Sequence, residues 1–281
     1  MSVHLNFKKN NLWVQYNGGS VTHFDIIKEK PIKEDSYYVD KDYDYSYNDI
    51  IKMNCNKYKY EGSLCTLPSP LPIELEYLDC SFNKRLLVLP ELPITLTHLN
   101  ISNTSCILPG ILPPNLKRLL LFNCDHSELP PLPPSLEQLY CKGNKLTKLP
   151  DLPSSLEELN CSENEISELP SIEHTKLTYL GCGKNWLTKL PELPKTLIKL
   201  NCSCNQITEI SKVPYMLESL ICFGNRLEDL PNIILDRFLN YRISYSVKEY
   251  KLSYNDNPVA DKINNEYFGN IENYLDYRYG T

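Results

Sequence analysis

Leucine recurs through the middle of this chain with a period that neither a single helix nor a lone strand would produce. Aligned positions Leu75, Leu96, Leu116, Leu136, Leu156, Leu177, Leu197 and Leu217 follow one another at spacings of 20 or 21 residues. A clean unit reads LEQLYCKGNKLTKLPDLPSS, from Leu136 to Ser155. In its opening phrase, LxxLxC, polar and apolar positions alternate. The second Leu and the Cys therefore share one face of a short strand, and the residues beside them share the other. Repetition at this period predicts one strand per unit, stacked about 4.8 Å from the next in a parallel sheet. A degenerate unit begins near Ile50, with Met53 and Cys55 in the strand columns. A final unit is expected from Val247, where Tyr250, Leu252 and Asn255 fit the template.

The rest of the unit is equally regular. An asparagine column, Asn83, Asn144, Asn164, Asn185, Asn205 and Asn225, follows the strand where the chain turns away from the sheet. A carboxamide there both donates to and accepts from backbone groups that the turn would leave unpaired. The following LPxLP phrase is too short and too rich in proline for a helix, because proline fixes φ and removes a donor. An extended, polyproline-like return path is expected.

Both ends read as caps. NLWVQYNGGSVTHFDII holds two alternating strands around Asn17-Gly18-Gly19, a hairpin signal. The Tyr/Asp-rich stretch from Asp35 to Asp49 reads as a linker or loop. Near the other end, Asn257-Pro258 suits a helix start, with Asn as N-cap and Pro in the first position. Val259, Ile263, Tyr267, Ile271, Tyr274 and Leu275 would line one face of that helix and seal the core, with Arg278 ending the stripe and Gly269 interrupting it.

These repeats resemble the leucine-rich-repeat family over about residues 50–231. The LPxLPxxLxxL phrase is similar to the short repeats of bacterial type III effectors of the YopM and IpaH kind. Cysteine within the strand, together with the abundance of Asn, Ile, Lys and Tyr that an AT-rich genome would produce, is similar to the leucine-rich-repeat proteins of giant amoebal viruses. The resemblance implies a curved solenoid with a parallel sheet on its concave face and a polyproline-like return side. It also implies that a protein binds the concave face. The expected organisation is an N-terminal hairpin cap and linker over 1–49, repeats over 50–231, and a helical capping segment over 232–281.

Composition narrows the function. A net charge of −6 disfavours nucleic acid, whose binding rests on neutralising phosphates. No apolar run approaches the roughly 18 residues of a membrane span, and MSVHLNFKKNN is not a secretory signal. An intracellular or non-classically exported protein is expected, in the host cytoplasm if the source is a virus. Ala260 is the only alanine while tyrosine numbers 20, a bias that bears on source and not on mechanism.

Eleven cysteines raise metal and disulfide chemistry. Seven of them, Cys55, Cys80, Cys141, Cys161, Cys182, Cys202 and Cys222, occupy the inward strand column, which Ile101 and Leu121 fill in two other units. A column that accepts Ile and Leu wants a compact apolar side chain, and buried free cysteine serves that purpose. Stacked neighbours come within disulfide range, yet their Cβ vectors run parallel. Cys106 sits in another Leu column, which leaves Cys65, Cys124 and Cys204 as the expected reactive thiols. No metal and no cofactor is expected.

Catalysis is not expected either. The ligases among the similar bacterial proteins carry a catalytic cysteine after the repeats, and residues 232–281 contain none. Cys124-Asp125-His126 is a consecutive trio, whereas nucleophile and base usually meet through the fold. A charge column, Glu128, Lys148, Glu168, Lys189, Glu209 and Asp229, alternates in sign over its first five members. It sets either repeat register or simply a solvated face.

The outward strand positions are where a partner should touch. Candidate contacts are Tyr77, His98, Arg118, Leu120, Phe122 and Tyr140. Leu120 and Phe122 have no core role in the template, and they fall in the unit where Cys and Asn give way to Leu121 and Cys124. Drift together with contact to the N-terminal cap is the competing account. A protein partner is expected, and a structural or self-associating role is the alternative. A homo-oligomer stays open without being indicated.

Overall fold

The LxxLxC phrases, and their LTHLNI and LKRLLL variants, each form a three-residue strand whose central leucine is buried between neighbouring repeats. The computed structural model describes residues 3–8, 11–16, 21–28, 50–54, 66–210, 212–230 and 251–266. They fall into two units. Unit 1 comprises Met1–Asp125 with Pro133–Leu136, and unit 2 comprises His126–Leu132 with Glu137–Thr281.

Unit 1 begins with β1 (Val3–Lys8), β2 (Asn11–Tyr16) and β3 (Val21–Lys28), joined antiparallel in that order. The two strands expected around residues 17–19 belong to this antiparallel set of three, and the turn between them lies outside the described residues. Strand β3 pairs antiparallel with β4 (Ile50–Asn54), which starts the parallel series β5 (Tyr77–Asp79), β6 (His98–Asn100) and β7 (Arg118–Leu120). Met53 stands in register with Leu78 and is fully buried, as the degenerate first unit requires. Cys55, Cys65 and the 35–49 stretch lie outside the described residues.

Unit 2 carries β8 (Gln138–Tyr140), β9 (Glu158–Asn160), β10 (Tyr179–Gly181), β11 (Lys199–Asn201), β12 (Ser219–Ile221) and β13 (Lys251–Ser253), all parallel. The helix α1 (Pro258–Glu266) follows, with Val259, Ala260 and Ile263 buried. The rest of the expected apolar stripe, from Tyr267 to Leu275 with Gly269 and Arg278, lies outside the described residues.

Within each unit the core is columnar. The central strand leucines (Leu78, Leu99 and Leu119; Leu139, Leu159, Leu180, Leu200 and Leu220) are buried, and so is the opening Leu of each repeat. In seven repeats the return path re-enters the strand through a tight turn in which a proline carbonyl accepts the amide of the opening Leu, whereas before Leu177 Thr175 N donates to Ile172 O instead. Leu116 N donates to Pro113 O at 3.1 Å, and Leu156 N donates to Pro153 O at 3.0 Å. Proline thus serves here as an acceptor in the position where its missing donor costs nothing. At the opposite corner the residue preceding the asparagine column has positive φ. Gly143 and Gly224 occupy that place in two repeats, but Glu163, Lys184 and Cys204 adopt φ of 54–56° there.

The last repeat corrects the sequence register. Leu220 pairs with Leu252, which places Leu252 in the second-Leu column, Tyr254 in the Cys column and Asn257 in the Asn column. The template beginning at Val247 was therefore two residues early, and Asn255 is not the ladder residue. Asn257 does precede α1, but its side chain does not cap it. Its Nδ2 donates to Cys222 O at 3.0 Å and Tyr254 O at 2.8 Å, and its Oδ1 accepts from Leu227 N at 3.0 Å.

Candidate functional site

The open face of unit 1 is built by register. Alternate strand positions stack Tyr77, His98 and Arg118 in one row, and Asp79, Asn100 and Leu120 in the next. All the proposed contacts here are half-buried. The Tyr77 and His98 rings lie 5.9 Å apart between centroids, tilted by 35°. Burial raises the Tyr77 hydroxyl pKa, nearby Asp79 raises it further, and Arg118 opposes them. Tyr77 therefore keeps its proton and stays available as a donor.

A second polar ladder, which template reading overlooks, runs along this face. Asp79 Oδ1 accepts from Ser81 N at 3.0 Å and from Ser81 Oγ at 2.6 Å. Asn100 Oδ1 accepts from Ser102 N at 3.1 Å. The signal was present as LDCS, LNIS and LNCS: an Asx residue two before a serine, fitted to turn on its own backbone. In the repeat from Leu116 this pair becomes Leu120 and Phe122, which have no polar side-chain atoms. Phe122 is still anchored, since its amide donates to Ser102 Oγ at 3.1 Å.

Unit 2 presents its own face. Gln138, Glu158, Tyr179 and Lys199 form one row by register, and Tyr140, Asn160, Gly181, Asn201 and Ile221 form another. The sixth candidate contact, Tyr140, sits here, and its hydroxyl donates to Glu158 Oε2. Gln138 Nε2 donates to the other oxygen of Glu158 at 3.2 Å. A Cβ at Gly181 would lie 2.6 Å from the Tyr179 hydroxyl, so that phenol occupies space the missing side chain leaves. The Asx–Ser pair recurs as Asn160–Ser162 and Asn201–Ser203, and gives way to Ile221 and Phe223 in the repeat from Leu217. That second apolar substitution on an outward face also escapes a reading confined to the first repeats.

The asparagine column is buried throughout. Asn164 shows its geometry. Nδ2 donates to Cys141 O and Cys161 O, each at 3.0 Å, and Oδ1 accepts from Leu146 N at 3.0 Å. One carboxamide thus ties its own repeat to the preceding one. Asn185, Asn205 and Asn225 repeat the arrangement; Asn144 Oδ1 accepts from His126 N, and Asn83 donates to Cys80 O and Ser81 O. Cys80, Cys141, Cys161, Cys182, Cys202 and Cys222 are buried and unbridged. Burial pushes the Cys161 and Cys222 thiols up to about 12, and Cys141, Cys182 and Cys202 well above the ordinary thiol value.

Cys124 corrects the expectation of reactive thiols. It is buried, and its Sγ donates to Ile101 O at 3.1 Å and Phe122 O at 3.3 Å. Burial raises its pKa first of all, and hydrogen bonding only offsets this. Of the three expected thiols, Cys204 alone is both described and partly exposed. Among the described residues, no group of three or more His, Cys, Asp or Glu is placed to hold a metal ion. No described helix is long and apolar enough to cross a membrane.

Repeats of parallel three-residue strands, most of them closed by a buried asparagine and all followed by a proline-bearing return path, decide the architecture. The chain is a leucine-rich-repeat solenoid. It resembles YopM from Yersinia enterocolitica WA-314, with 37% identity over 66% of this chain and 41% of that one and a TM-score of 0.61. It is also similar to the functional domain of InlJ from Listeria monocytogenes, which includes a cysteine ladder, with 26% identity over 65% of this chain and 41% of that one and a TM-score of 0.53. The solenoid therefore spans less than half the length of either protein. No protein-family model matches it, and no curated protein does.

Proposed function

We propose that this leucine-rich-repeat solenoid is a non-catalytic protein-binding module, and that its partner seats on the open sheet face of unit 1. Leucine-rich-repeat folds generally serve as protein-interaction scaffolds, and the similar solved structures support that class of role. The observation that carries the placement is the replacement of the Asx–Ser pair by Leu120 and Phe122, beside the Tyr77–His98–Arg118 row. Repeats that keep the pair spend their outward polar atoms on their own turns. The repeat from Leu116 offers apolar side chains instead, next to the aromatic and Arg residues favoured as binding anchors.

The bacterial neighbours favour a pathogen or viral source, and with it a host protein as partner. The net charge of −6 and the absence of a basic cluster count against nucleic acid. Capture from host lysate with the wild type and with Leu120→Asp/Phe122→Ser, followed by direct binding to the protein retained, tests the placement. A partner lost by the double variant supports it. A partner bound equally by both refutes it.

A further inference from the structure

A second apolar surface lies on unit 1 away from its sheet, where the chain has just left the asparagine corner. Leu87, Val88 and Ile107 are 56%, 68% and 73% exposed. They are neighbours: Val88 bridges Ile107 in parallel, and Ile107 N donates to Leu87 O at 3.1 Å. Ile111, four residues further along the return path, is 88% exposed. Later repeats fill the same template position with Thr147-Lys148, Ser167-Glu168, Thr188-Lys189 and Thr208-Glu209. The position is thus ordinarily polar, and no core demand explains aliphatic residues there. These side chains expose on the order of 500 Å² of aliphatic surface, at the upper end of what a monomer usually shows.

Charge at the two ends of the strip singles out its occupant. Exposed Lys84 and Arg85 precede Leu87, and exposed Glu91 follows Val88, so the strip is basic at one end and acidic at the other. A surface with that polarity is complementary to itself under a two-fold rotation, which sets each basic end against the other copy's acidic end. The aliphatic surface with its charged ends approaches the roughly 800 Å² each partner gives to a standard interface. An anionic membrane would meet Glu91 as readily as Lys84, and it gains nothing from a chain of net charge −6. We propose that a second copy of this chain docks its own strip on the Leu87–Val88–Ile107 strip, the two strips antiparallel, to form a two-fold dimer.

Light scattering after size exclusion, over a dilution series of the full chain, reads the proposal directly. The wild type should pass from dimer to monomer on dilution. Val88→Glu/Ile107→Glu should weaken pairing by at least about 30-fold, the loss expected for a true anchor. Both residues face solvent, so the melting transition should hold. Lys84→Glu/Arg85→Glu should also weaken the dimer without touching the apolar residues, and adding Glu91→Lys should restore it. Leu120→Asp/Phe122→Ser should dimerise as the wild type does, which separates this face from the proposed partner face. The proposal is overturned by a wild type monomeric at roughly 100 µM, where a Kd of about 10 µM would leave most chains paired. It is also overturned by a dimer indifferent to the glutamate pair, or by a charge reversal that Glu91→Lys does not rescue.

Discussion

Oδ1 of Asn257 accepts the amide of Leu227 at 3.0 Å, so the residue that opens the C-terminal helix is spent on the repeat before it. Pro258 cannot supply the backbone donor that follows the asparagine in earlier repeats, where Arg226 N donates to Ile207 O at 2.9 Å. Val259 N takes over and donates to Leu227 O at 2.9 Å. The helix therefore docks through the same corner that joins one repeat to the next.

Asn257→Ser separates the two roles this residue could have. Serine is as good an N-cap as asparagine, but it cannot reach the Cys222 and Tyr254 carbonyls while accepting the Leu227 amide. Asn257→Ser should destabilise by about 1–3 kcal/mol, the cost of stranding buried backbone groups, and Asn164→Ala should do the same. Denaturant midpoints measure both. A serine variant as stable as the wild type would return Asn257 to a capping role.

Cys124 stands where the other repeats keep asparagine, apart from Thr104 in the repeat from Leu96, and it reaches Ile101 O through a weaker donor. Cys124→Asn should supply a stronger donor and an acceptor in a similar volume, and raise stability by about 1 kcal/mol. Cys124→Ala should lower it. Unchanged denaturant midpoints for both would remove Cys124 from the ladder.

Thiol accessibility and pH test the cysteine column together. A thiol reagent should label Cys204 in the native protein and leave Cys141, Cys161, Cys182, Cys202 and Cys222 until unfolding. The folded thiols of Cys161 and Cys222 ionise only at about 12, against roughly 8.5 in an unfolded chain. Between those values the unfolded state holds fewer protons than the folded one. The stability from burial is therefore complete below about 8.5 and falls as pH rises towards 12. Cys161→Val should flatten the loss of stability measured between pH 8 and 11 by up to about 1.4 kcal/mol per pH unit. An unchanged slope would mean that the thiol is not the titrating group.

Left-handed corners offer a gain. Cys204 holds φ of 54° one residue before Asn205, and the equivalent residue in the next repeat is glycine, Gly224. Cys204→Gly should stabilise by about 0.5–1 kcal/mol, because relief of the left-handed cost outweighs glycine's added freedom when unfolded. A rise in Tm tests this. A fall would show that contact between Cys204 and the neighbouring corner at Gly224 matters more than backbone strain.

Leucine, cysteine and asparagine columns are legible because burial allows few substitutes, so each recurs at a fixed interval. The final repeat is ambiguous because Val247-Tyr250-Leu252-Asn255 satisfies the same spacings, and only the Leu220–Leu252 pairing resolves it. The Asx–Ser turns along the face lie in plain sight, yet they are local hydrogen bonds and leave no hydrophobic period. Left-handed corners are hidden for another reason. Glutamate, lysine and cysteine occupy them in three repeats, so composition does not mark the backbone.

Leu120 and Phe122 are where the reading of function meets its hardest test. Both are half-buried on the unit 1 face, neither belongs to the core columns, and Phe122 is held through its backbone amide. Polar substitution at these positions removes apolar contact surface without opening a cavity, so the midpoint of unfolding should move by less than about 0.5 kcal/mol. Binding should behave otherwise, because truncating a true anchor costs about 2 kcal/mol or more. Leu120→Asp/Phe122→Ser should therefore lose its protein partner while it melts with the wild type, and Tyr77→Ala should weaken binding less. Calorimetry against the captured partner measures the first effect and a thermal melt the second. If the double variant binds as the wild type does, the partner sits elsewhere. If it unfolds, Leu120 and Phe122 belong to the core after all, and their departure from the Asx–Ser pair has a structural cause.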